Sequence, residues 1–103
     1  MSLQYEIYLP TKKSNGDPID SVTLKEIRSS LIEKFGGLTD TRVKTDGFWK
    51  SGGVTILDEI LIWKVLSDEG KAGDSFLGEI KKGLERLLDQ DKILIVKQSV
   101  ETL

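Results

Sequence analysis

The segment Val54 to Leu66 limits the folds open to this chain more than any other. Read with the period of two of an extended strand, it places Val54, Ile56, Asp58, Ile60, Ile62 and Lys64 on one face. Thr55, Leu57, Glu59, Leu61, Trp63 and Val65 fall on the other, and both faces are largely apolar. A strand of this kind belongs in the middle of a sheet and covered on both sides, because a one-sided strand alternates apolar with polar residues. A bulge near Asp58-Glu59 is the alternative, and it would exchange the two faces midway.

The remaining elements arrange themselves around that strand. Leu3, Tyr5, Ile7 and Leu9 alternate with Gln4, Glu6 and Tyr8 and stop at Pro10, which predicts a half-buried first strand. Thr11 to Asp20 contains Asn15-Gly16 and Asp17-Pro18 and reads as an exposed, mobile loop. Thr23 with Glu26 forms a capping box, and Val22 and Ile27 stand where a hydrophobic staple needs them. Leu24, Ile27, Leu31 and Phe35 then share one helical stripe that ends at Gly36-Gly37, so a helix is predicted over 23–35.

Thr41 to Lys50 reads as a second strand, turned through Ser51-Gly52-Gly53 into the long apolar one as a hairpin. A second helix begins near Asp74 or Ser75, with Phe76, Ile80, Leu84 and Leu87 on one stripe, and Ile93-Leu94-Ile95-Val96 forms a last strand. The order βαββαβ predicts an α+β, ferredoxin-like single domain over residues 1–103. Its four-stranded antiparallel sheet carries both helices on one face and has strands one and three at its centre.

Composition narrows the chemistry. The 103 residues include no histidine and no cysteine, which removes the usual neutral-pH proton carrier, disulfides and thiolate metal ligands. No cofactor and no metal are expected. The 15 basic and 17 acidic residues are intermixed, so a net charge of −2 offers no concentrated field to a phosphate backbone or an anionic lipid surface. No basic region followed by an apolar run opens the chain, and no stretch approaches the roughly 20 apolar residues that span a bilayer. A cytoplasmic protein without a membrane partner is therefore expected.

Two helices on one side leave the other face of the sheet to water, although the third and fourth strands have apolar residues for both. A second copy of the chain would cover it, so a homodimer is expected, with Ile93 and Ile95 on the dimer face. The alternative is that Val100 to Leu103 and the loops fold over the face of a monomer.

Asp58 and Glu59 interrupt the apolar strand and are the candidates for a general base. As neighbours on a strand they face opposite ways, so they form no facing carboxylate pair; such a residue more often bonds a loop amide or a lysine such as Lys64. Trp49 and Trp63 lie on the two strands of the hairpin, where they would wall a ligand pocket or simply fill the core. Arg42 and Lys50 complete the candidate ligand- or partner-binding set. Ile7-Tyr8-Leu9 has the form of the shorter RNA-recognition signature, but the longer one is missing from Val54 to Leu66.

Phe35-Gly36-Gly37-Leu38-Thr39, then Gly47-Phe48-Trp49, Gly53 and Asp58-Glu59, resembles a pattern in small bacterial proteins of a domain-of-unknown-function group. The resemblance spans about a third of the chain and implies a single-domain ferredoxin-like protein, with no activity attached. The expected function is a dimeric binding or protein-interaction module without catalysis. The alternative is a small-molecule enzyme using Asp58 or Glu59. A third class is weak nucleic-acid binding through Lys12, Lys13, Arg42, Lys44 and Lys50.

Overall fold

Alternation at the start of the chain becomes a strand with Tyr5, Ile7 and Leu9 buried on one side. The computed structural model describes residues 2–90 and 92–103. In chain order the elements are β1 (Ser2–Pro10), α1 (Ser21–Phe35), β2 (Thr39–Asp40), β3 (Thr45–Ser51), β4 (Val54–Ser67), α2 (Lys71–Leu87) and β5 (Ile95–Val100). No helix among the described residues is long and apolar enough to cross a membrane.

The strands form one antiparallel sheet in the order β2-β4-β1-β5, with β3 also paired to β4. The sheet therefore has five strands rather than the four expected, and the cause lies between Asp40 and Thr45. Asp40 pairs with Trp63 and Thr45 with Ile60, so four residues of one strand face only Leu61 and Ile62 of β4. The two extra residues bulge out of the ladder. Arg42 takes φ 54° there, its N–H donating to Asp40 Oδ1 at 2.9 Å, and the Thr41 N–H and hydroxyl both donate to the Ile62 carbonyl. β4 itself runs unbroken past Asp58-Glu59, and its two face lists stand.

The core lies between the sheet and the helices. Tyr5, Ile7, Leu9, Trp63 and Val65 meet Leu31 of α1 and Leu77 and Leu84 of α2, closed by Leu88 and Ile93. α1 starts two residues before the expected helix. Its N-cap is Asp20, whose carboxylate accepts from the Val22 N–H and the Thr23 hydroxyl, so Thr23 serves the cap instead of being it. Gly36, at φ 81°, ends α1 in the left-handed turn that its sequence predicts.

α2 begins three residues earlier than Asp74, at Lys71, and presses its first turn onto the sheet at Gly73. A Cβ on Gly73 would stand 2.9 Å from Ser67 Oγ and 3.2 Å from Tyr5 Oη, so a side chain at this position would have to displace one of them.

The final strand corrects the expected dimer face. Ile93, 1% exposed, precedes β5 and lies in the core, its N–H held by Glu85, and Ile95 packs against the same core. Leu94 and Val96 point outward instead, since alternate residues take opposite faces and the inner one is filled. Glu85 also accepts from Lys81 at 2.6 Å, and these two bonds, Lys81's first, hold its carboxyl below the usual range. The outer face is less apolar than expected. Gln4, Glu6 and Tyr8 of β1 lie there beside Leu66, Lys64 and Ile62 of β4 and Gln98 and Val96 of β5.

Candidate functional site

β4 outlasts its neighbour. Pro10, the last residue of β1, pairs with Ile60, so Val54–Glu59 pair with β3 alone and project as a two-stranded arm. Six residues at about 3.3 Å each give the arm a reach of about 20 Å. The arm, the turn at residues 11–16, and Asp89, Gln90 and Lys92 to Leu94 line an open cleft of about 980 Å³ that also takes in Tyr8, Pro10 and Ile60.

The walls are braced. The Thr11 N–H donates to the Glu59 carbonyl at 3.0 Å, and the Thr11 hydroxyl donates to Glu59 Oε1 at 3.0 Å. Lys44 Nζ stands 3.6 Å from the same Oε1. The 11–16 turn closes through Gly16 N–H to the Lys13 carbonyl at 2.9 Å and is tied to the opposite wall by Ser14 Oγ donating to Asp89 Oδ2 at 2.8 Å. Gln90 Nε2 adds a bond to the Lys12 carbonyl at 3.2 Å. The segment read as an exposed loop thus forms one rim of the cleft, hydrogen-bonded to the opposite wall.

Asp58 and Glu59 take opposite sides of the arm, as strand geometry requires. Glu59 is engaged by Thr11 and Lys44, so a lysine does hold one carboxylate, though it is Lys44 and not Lys64. Lys64 faces Glu6 at 3.9 Å. Asp58 is half-buried, lies opposite Gly47, and has no hydrogen-bonded or ionic partner among the described residues.

Trp49 and Trp63 do not form a common wall. Trp63, 2% exposed, is a core residue whose Nε1 has no hydrogen-bond partner among the described residues. Trp49, 39% exposed, lies on the arm and lines the cleft, with Lys50 next to it on the other side. Arg42 sits outside the cleft lining, in the bulge. The cleft therefore unites Asp58, Glu59, Trp49 and Lys50 and leaves Arg42, Trp63 and Ile95 out; Ile93 touches it only from the core side.

Sequence reasoning marked Tyr8 only as part of an RNA-recognition form and missed Thr11. Tyr8 donates to Glu6 Oε2 at 3.0 Å, and that bond first, then burial, raises its pKa above the usual phenol value. No local pattern marks Thr11, whose partner is 48 residues away. A second cavity of about 260 Å³ lies beside Tyr5, Asp74 and Lys97 on the helix side. No group of three or more acidic side chains able to hold a metal ion occurs among the described residues.

No protein-family model matches the chain, and the search of curated proteins found no match. Among solved structures the chain is similar to a phage SAM lyase in complex with S-methyl-5'-thioadenosine, at 12% identity and a TM-score of 0.64. The alignment covers 95% of this chain and 81% of that one. At that identity the likeness is one of fold.

Proposed function

We propose that this chain is a single-domain binding module that works as a homodimer, with the arm of β3 and β4 as its contact surface. The observation that carries this reading is the pair Phe48 and Leu57, directly opposite one another on the arm and exposed to 67% and 58%. They lie on the helix side of the sheet, yet beyond the reach of either helix, so nothing in the described chain covers them. Exposed apolar clusters on a projecting element mark interaction surfaces. A near-neutral chain with intermixed charges favours its own copy over a strongly charged partner. The corrected outward residues Leu94 and Val96 extend the apolar surface on the opposite face.

The strand order is read as ferredoxin-like, with β2 and β3 as one divided strand, in a cytoplasmic protein of bacterial type. Sedimentation velocity tests the assembly. Phe48→Ser with Leu57→Ser should turn a dimer into a monomer with an unchanged circular dichroism spectrum, and an unaltered dimer would contradict the assignment of the arm.

The cleft favours a second reading, a small-molecule site in which Asp58 or Glu59 acts as general base. Asp58 is the better placed of the two, because Glu59 is already engaged by Thr11 and Lys44. The SAM lyase of similar fold, in complex with a thioadenosine, makes a nucleoside-sized ligand the first to try. Saturable stabilisation by S-methyl-5'-thioadenosine, weakened in Asp58→Asn, is the expected result; no stabilisation at millimolar ligand would contradict it.

A further inference from the structure

We propose that Trp49 and Asp58, on the outer face of the arm, form a receptor for a small organic cation whose charge is alkylated or delocalised, such as a quaternary ammonium or sulfonium head. The inference deepens the reading of the cleft as a small-molecule site and rests on it.

Gly47 builds the receptor. Its missing side chain leaves room for the Trp49 ring to fold back along β3: a Cβ on Gly47 would stand 3.2 Å from Trp49 Cζ2 and 3.4 Å from Cε2 and Nε1. The indole thus occupies the place of a side chain at position 47. Gly47 pairs directly with Asp58, and Cβ positions of facing antiparallel residues are about 5 Å apart. An aromatic surface and a carboxylate are therefore neighbours on one face of a two-stranded ribbon, and both line the cleft.

Charge selects the ligand. On the arm Val54 and Ile56 share this face and Asp58 is its one charged residue, whereas Asp46, Lys50 and Glu59 lie on the opposite face; Lys12, Lys13 and Lys92 line the cleft from outside the arm. An anion at the Trp49 ring would meet the Asp58 carboxylate, which has no ionic partner among the described residues. A metal ion would find a single oxygen donor group and an indole that replaces none of its hydration water. A weakly hydrated organic cation loses little on leaving water and gains the electron-rich ring face together with the carboxylate.

The test is a ¹H–¹⁵N titration of the full chain with tetramethylammonium chloride, read at the indole N–H signals. Trp63 is buried and serves as the internal reference. The expected result is a saturable shift of the Trp49 signal with a still Trp63 signal, no such shift with sodium chloride at equal ionic strength or with the neutral isostere tert-butanol, and about fivefold weaker binding in Asp58→Asn. An equal response to tert-butanol, an unchanged affinity in a folded Asp58→Asn, or no saturable shift would overturn the inference. If tetramethylammonium fails while S-methyl-5'-thioadenosine shifts the cleft signals, the cation receptor falls and the small-molecule reading stands. If both fail, both fall.

Discussion

Tyr5 Oη donates a hydrogen bond of 2.5 Å to Asp74 Oδ1, fastening strand β1 to the first turn of α2. The other oxygen of the same carboxylate accepts from Lys97 of β5 at 2.7 Å. One acidic side chain at the start of a helix with no side-chain cap thus ties three elements together. Removing the phenol oxygen leaves Asp74 with Lys97 and loses a bond to a charged group. Tyr5→Phe should cost about 1–2 kcal/mol in urea unfolding while preserving the fold.

The same pair gives stability an alkaline dependence. Burial first, then the bond to Asp74, pushes the Tyr5 pKa up to about 12 from 10.0. Between those values the unfolded chain has lost the proton and the folded chain keeps it, so stability present below pH 10 falls as pH rises. The fall attributable to Tyr5 is about 2–3 kcal/mol over the whole interval. Unfolding curves taken on either side of pH 10 should show it in the wild type and not in Tyr5→Phe.

On the acid side the direction reverses. Lys97 first, then Tyr5, hold the Asp74 carboxyl below its ordinary 3.8. Its contribution is present above that value and is lost as pH falls through the lower folded one. Asp74→Asn should flatten this part of the acid unfolding curve.

Gly73 and Gly78 lie five residues apart in α2 and should respond oppositely to alanine. At Gly73 the added methyl meets Ser67 and Tyr5, so Gly73→Ala should destabilise by about 1–3 kcal/mol. At Gly78 nothing lies within 4 Å, so Gly78→Ala should stabilise by about 0.5–1 kcal/mol through helix propensity. Thermal unfolding of the two variants separates them.

The inward and outward residues near β5 make a similar pair. Ile93→Ala opens a cavity in the core and should cost about 2–5 kcal/mol. Val96→Ala, on the outer face, should stay within about 1 kcal/mol in denaturant unfolding.

Much of this fold was legible in local patterns. The alternation before Pro10, the stripe ending at Gly36 and the apolar run of β4 each became the expected element, because periodicity reports which face a residue turns to the core. What stayed hidden depends on partners far away in sequence. The division of β2 from β3 follows from the registers at Asp40–Trp63 and Thr45–Ile60, which no local motif encodes. Ile93-Leu94-Ile95-Val96 is apolar at every position, so its period could not say which pair faces the helices; the core settles it for Ile93 and Ile95. Helix α1 was expected to be capped by Thr23, but Asp20, three residues earlier and in extended conformation, takes the role.

The cleft was half legible. Asp58, Glu59 and Trp49 stood out as interruptions or as large aromatics. Trp63 met the same criterion and is core, since residue type does not report depth. The arm had a readable signal in the mismatch between a first strand that stops at Pro10 and the long apolar strand, β4, that runs to fourteen residues, for the excess must overhang. The Thr11 and Lys44 contacts to Glu59 had none.

Native mass spectrometry of the untagged chain at micromolar concentration tests the central claim, that the arm assembles this module with its own copy. The expected spectrum holds an ion at twice the 11.5 kDa of one chain, lost when Phe48 and Leu57 are both replaced by serine. A wild-type spectrum of 11.5 kDa ions alone would contradict it.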